Sequence, residues 1–205
     1  MKIMLKLKNL LIIGITILIS SCGPNTIDYV DDKYAIDESG KLFLYEGNPY
    51  SGKVVRYFDT EKTLLNFESN YKDGIYHGLF LEYHKNGQLK RKRTNKDGVW
   101  DGLYESYYKN GQLKNKGIYK DGIKDGLHEE YFFDGDSERK VTYKDGNRVL
   151  YESYWGEGQL RKKETYNAET QDLFSEEYHK NGQLHKKETY KQNALHGPNE
   201  WYYEN

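Results

Sequence analysis

The stretch YYKNGQLKNKGIYKDG, Tyr107 to Gly122, recurs in pieces along the whole chain: KNGQLK stands at 85–90 and 109–114, KNGQL at 180–184, and YKDG at 71–74, 119–122 and 143–146. A catalytic centre needs a few unique residues, whereas a phrase repeated at a fixed interval builds a surface by stacking copies of one unit. Aligning the phrases puts Gly87, Gly111, Gly135, Gly158 and Gly182 in one column, at steps of 24, 24, 23 and 24. A second column holds Tyr57, Tyr83, Tyr107, Tyr131, Tyr154, Tyr178 and Tyr202, followed directly by Phe58, His84, Tyr108, Phe132, Trp155, His179 and Tyr203. A third holds Tyr71, Tyr119, Tyr143, Tyr166 and Tyr190, with Asn95 in place of a tyrosine. A fourth holds Gly52, Gly78, Gly102, Gly126 and Gly197, broken by Val149 and Leu173.

Within one unit, Leu103–Tyr108 is rich in β-formers, and Asn110-Gly111 after it is the signal for a tight hairpin turn. A second strand from about Gln112 ends at Lys120-Asp121-Gly122, where a looser glycine-bounded turn starts the next unit. Each unit is therefore a β-hairpin, because glycine recurs too often for a helical period to survive. The expected fold is all-β: an elongated, single-layer antiparallel meander of about 24-residue hairpins, with strands ~4.8 Å apart and a length on the order of 60 Å. Alternation places Leu103, Glu105 and Tyr107 on one face and Tyr104, Ser106 and Tyr108 on the other.

With 21 tyrosines and 31% charged residues, rings rather than an aliphatic interior supply the packing. First strands carry Glu82, Glu105, Glu129, Glu130, Glu152, Glu176 and Glu177, while second strands carry Lys90, Arg91, Lys92, Arg93, Lys114, Lys116, Arg139, Lys140, Arg161, Lys162, Lys163, Lys186 and Lys187. This arrangement reads as a ladder of cross-strand pairs that fixes register. Lys90–Arg93 is the densest basic cluster.

The first residues depart from this pattern. Lys2, Lys6 and Lys8 precede an apolar run from Leu10 to Ile19, too short to span a bilayer and suited to an export signal over residues 1–21. Ile19-Ser20-Ser21-Cys22 resembles the lipobox of bacterial lipoproteins, which implies cleavage before Cys22 and lipidation of that residue. An ordinary signal peptide would leave a lone exported thiol. Cleavage would remove three lysines and no acids, moving the formal charge from −1 to −4, a balance that disfavours nucleic acid as a partner. Residues 22–40 are polar and acidic, without a period, and read as a flexible tether to a repeat domain over 41–205.

Enzyme chemistry finds no foothold. His84 and His179 share a column four copies apart, roughly 38 Å at two strands per copy, so they cannot share a metal. No nucleophile elbow, zinc-helix motif or phosphate loop appears. The carboxylates recur by column, as structural ones do, and neither cofactor nor metal is expected.

The phrases YKDGIKDGLHEEYFFDG and GLYESYYKNGQLKNKGIYKDG resemble the MORN (membrane occupation and recognition nexus) repeat, in the variant Y-x-x-G-x-x-x-G-x-x-x-x-Y-x-x-N-G-x-L, over residues 45–205. Asn95, Ser137 and the shortened turn before Leu150 depart from that pattern. The resemblance implies a protein-binding role. In bacteria this variant is often similar to antitoxin or immunity proteins, and MORN repeats elsewhere are linked to scaffolding and membrane contact. The expectation is a non-enzymatic, lipid-anchored module in the cell envelope, at the outer membrane if the cell has one, that covers a toxin surface. The alternative is an envelope scaffold that binds lipid, glycan or another envelope component. Tyr107, Tyr108, Tyr131, Phe132, Tyr154 and Trp155 are the expected central contacts. The C-terminal Trp201-Tyr202-Tyr203 is expected to leave an open strand edge.

Overall fold

A computed structural model describes residues 26–29, 34–192, 194–197 and 199–203. The signal, Cys22 and the remaining residues of the expected tether lie outside them. The N-terminal strands are β1 (Thr26–Asp28), β2 (Tyr34–Ile36), β3 (Phe43–Tyr45), β4 (Asn48–Pro49), β5 (Gly52–Tyr57), β6 (Leu65–Lys72) and β7 (Ile75–Tyr83). The repeats continue through β8 (Leu89–Lys96), β9 (Val99–Tyr107), β10 (Leu113–Lys120), β11 (Ile123–Lys124), β12 (Gly126–Tyr131), β13 (Ser137–Lys144) and β14 (Asn147–Tyr154). The last strands are β15 (Leu160–Asn167), β16 (Asp172–Tyr178), β17 (Leu184–Lys191), β18 (Ala194–Leu195) and β19 (Glu200–Trp201). From β5 to β10 and from β12 to β17 each strand pairs antiparallel with the next, and β10 also pairs with β12, the meander that the repeat predicts; the short β11 pairs with β10, and β18 and β19 with β17, in the same 16-stranded sheet.

The two turn types are the reverse of the expected assignment. Lys120 and Ile123 face each other across a two-residue turn in which Asp121 and Gly122 have φ of 49° and 81°. That left-handed pair defines the tight type I′ hairpin. At the Asn-Gly corner the Gly111 N–H donates to the Tyr108 carbonyl at 3.0 Å, and the Tyr108 N–H donates to the Gln112 carbonyl at 2.9 Å. Only the glycine is left-handed there, because the Asn110 carboxamide accepts the Gln112 N–H at 3.0 Å and holds its own backbone out of that region. The corner is thus the longer loop, and Lys114 becomes an extra residue between the partners of Ser106 and Tyr107.

Each tight turn also fastens one copy to the last. The N–H of Gly98 donates to Tyr76 O, that of Gly122 to Trp100 O and that of Gly146 to Lys124 O, at 2.8–3.0 Å. Gly74 makes the same bond to Tyr50 O at 2.8 Å, so residues 43–50 stand where a preceding copy would. They form a cap: β2, β3 and β4 make a separate three-stranded sheet. Phe43 stacks on Tyr71 at 4.7 Å and meets Tyr50 at 6.0 Å. Ile27, Phe43, Tyr50, Val54 and Tyr71 form the buried core, and beyond them the described sheet is one layer deep with half-buried rings in place of an interior.

Two short parts of the segment read as a tether are paired strands. Thr26–Asp28 pairs in parallel with β5, and Tyr34–Ile36 pairs with β3. Ile27 supplies the reason, since it is 4% exposed within the core and its strand covers the edge that β5 would otherwise present.

The turn between β2 and β3 closes on Asp37, whose carboxylate accepts the N–H groups of Lys41 and Leu42, each at 2.7 Å. The Leu42 N–H and the Ser39 hydroxyl hold the Asp37 pKa down at about 2, from 3.8. A depressed acid stabilises the fold above its unfolded pKa, and this contribution fades as pH falls through 3.8 toward 2. A carbon-detected NMR titration should find the Asp37 carboxyl midpoint near 2, and a midpoint near 3.8 would refute the cap.

Candidate functional site

Register sorts the side chains onto two faces. On one face, Lys92, Glu105, Lys116, Glu129 and Lys140 stand opposite one another in turn, and Glu152, Lys163, Glu176, Lys187 and Glu200 continue the row. The expected ladder is therefore continuous from β8 to β19, each pair contributing about a few tenths of a kcal/mol to register. Tyrosines two residues along each strand brace it. Tyr107 donates to Glu105 at 3.0 Å, Tyr154 to Glu152 at 3.2 Å and Tyr178 to Glu176 at 3.1 Å. Burial, and then the neighbouring glutamates, push the Tyr107, Tyr131 and Tyr154 hydroxyls up to about 12. These phenols remain proton donors, not bases.

The other face is hollowed and aromatic. Trp100 stacks on Tyr104 at 5.3 Å, and Arg93 lies over both Phe80, at 4.4 Å, and Trp100, at 5.0 Å. His128 sits between Tyr119 and Tyr143, with centroids at 5.3 and 5.1 Å, over the bare backbone of Gly117. Its Nε2 donates to the Ile118 carbonyl at 2.8 Å, and burial lowers its pKa, so it is a neutral packing group. The rings from Trp100 to Tyr151 line a hollow of about 460 Å³.

The column after each corner tyrosine explains its own composition. The His84 ring donates to Tyr107 O at 3.1 Å, Tyr108 to Tyr131 O at 2.9 Å, and His179 to Tyr202 O at 3.3 Å. His and Tyr alternate there because each carries a donor that reaches the next copy's carbonyl. This role is hydrogen bonding across copies. Phe132 has no such donor, and the Trp155 Nε1 is buried without a hydrogen-bond partner among the described residues.

A hollow of about 860 Å³ lies where these two bonds are missing, lined by Phe132, Tyr154, Trp155, Tyr178 and His179 among others. Its corner turn also departs from the repeat. Trp155-Gly156-Glu157 replaces the Tyr108-Lys109-Asn110 pattern, and Glu157 as well as Gly158 is left-handed, with φ of 71° and 77°. Arg161 lies 4.7 Å from the Trp155 ring and Lys180 5.5 Å. Among the described residues the equivalent Phe58 and Tyr108 each carry a single cation, Lys85 at 5.9 Å and Lys114 at 5.5 Å.

The six expected contacts do not form one surface. Phe132, Tyr154 and Trp155 border the large hollow, Tyr107 and Tyr108 border another of about 320 Å³, and Tyr131 borders neither. Arg161 and Lys180 escape a reading of single columns, although the Gly-Glu-Gly spelling of this corner marks the place. Among the described residues no three His, Cys, Asp or Glu side chains converge as a metal site.

A repeated hairpin with aromatic, glycine and corner columns, stacked into one long sheet, defines a β-repeat protein. Four segments, residues 76–97, 100–121, 124–145 and 175–192, match the MORN repeat variant family. MORN repeats generally mediate binding to membranes or proteins. The match passes over 146–174, the copy that contains Trp155. No curated protein matched the chain.

Proposed function

We propose that the chain is a non-enzymatic, lipid-anchored protein-binding module of the cell envelope. In this reading it neutralises a toxin by covering a functional surface, as immunity proteins do. The observation that carries it is the hollow at Phe132, Tyr151 and Trp155, where large rings at a concave surface offer contact area at low entropic cost. Occlusion asks for shape and charge and for no chemistry from the chain. Lipidation at Cys22 would hold the sheet at a membrane while leaving this face open to a partner.

Crosslinking capture of the tagged full-length protein from its own cells, against a Cys22→Ala control, tests the reading. The expected result is one stoichiometric protein whose toxicity the wild-type chain suppresses and a Trp155→Ala variant suppresses at least tenfold less well. Recovery of lipid or wall material alone would overturn it and favour an envelope scaffold.

A further inference from the structure

We propose that the hollow around Trp155 receives an acidic, carboxylate-rich segment of the partner protein, an inference that rests on the protein-binding reading above. Three observations converge on it. The first is the charge lining the hollow: Arg139, Arg161, Lys162 and Lys180 against Glu138 and Glu177. The second is which of these charges are already matched. Arg139 pairs with Glu130, and Lys162 pairs with Glu164 at 2.9 Å and Glu177 at 3.4 Å. Arg161 and Lys180 form no ion pair among the described residues and are exposed. Both lie over the same indole, a neutral partner that leaves their charge available to a carboxylate.

The third observation is position. Two cations without an ion pair meet on one ring at the corner that departs from the repeat, whereas Phe58 and Tyr108 each have one cation over the ring among the described residues. Glycine at 156 replaces the lysine of the Tyr108 corner, and nothing lies within 4 Å of the place its Cβ would occupy. The approach to the indole is therefore open, with Lys180 shared by a second hollow of about 230 Å³ beside Glu157. Aromatic rings flanked by unmatched cations suit a peptide that alternates acids with rings or aliphatic residues, and charge complementarity would set its register.

The probe is a fluorescently labelled random copolymer of Glu and Tyr, titrated by anisotropy against the full-length protein in detergent. Wild type should bind it, more weakly as salt rises. Arg161→Glu with Lys180→Glu should lower affinity at least tenfold, while the charge-matched Lys109→Glu with Lys120→Glu should not. If the double reversal fails to fold, Arg161→Gln with Lys180→Gln carries the same expectation. Equal losses in both pairs, no loss in either, or tighter binding of polygalacturonate or phosphatidylglycerol vesicles than of the copolymer would overturn the proposal. A cellular partner captured equally by wild type and the reversed variant would sink this inference and leave the protein-binding reading standing. Failure to capture any protein would sink the reading itself.

Discussion

Phe43→Ala is expected to destabilise the N-terminal end by about 3–5 kcal/mol, the cost of emptying a large buried aromatic site. Phe43 is 2% exposed, stacks on Tyr71, and joins the cap to the meander through its N–H bond to Gly74 O at 2.8 Å. The loss should stay local. In a repeat array each copy contacts only its neighbours, so stability divides among copies instead of belonging to a single core. Hydrogen exchange should therefore show β2 to β6 opening in the variant while β12 to β17 keep their protection. Uniform loss of protection along the whole sheet would contradict a cap that acts on its immediate neighbours.

Gly117→Val should be nearly as costly, about 3 kcal/mol, and for the opposite reason, overpacking. A Cβ at this position would lie 2.1 Å from the His128 Nδ1 and 2.4 Å from its Cε1. The ring has no easy retreat, since Tyr119 and Tyr143 hold its two sides and its Nε2 is bonded to Ile118 O. Adding His128→Ala removes the obstacle. The double variant should be more stable than the sum of the two single losses predicts, a coupling that urea melts can read. Additive losses would show that the ring and the glycine do not meet.

Much of the fold was legible in the sequence because the physics repeats with the letters. The interval set the hairpin, the alternation of Glu105 and Lys116 set the register, and the tyrosine columns announced a sheet packed with rings. Other features depend on geometry that letters do not carry. Asn110-Gly111 reads as the tight turn and Asp121-Gly122 as the looser one, and what reverses them is one side-chain bond from Gln112 to Asn110. Ile27 sits in a polar stretch, and only its parallel pairing beside Val54 reveals it as core. The candidate site was half visible. Trp155 stood out as the one tryptophan of its column, whereas the convergence of Arg161 and Lys180 requires the bulge after Ser153 and the neighbouring hairpin to be in place.

In this protein the repeat is scaffold, and binding resides where the repeat breaks. Restoring the regular corner tests it most directly: Trp155→Tyr, Gly156→Lys and Glu157→Asn together, matching the Tyr108–Asn110 corner, in the full-length protein. The measurement is affinity for the Glu and Tyr copolymer, with the thermal midpoint recorded on the same sample. The expected midpoint is equal to or above wild type, because the new hydroxyl can make the missing bond to the next copy, and binding should fall at least tenfold. A regularised corner that binds as tightly as wild type would contradict it.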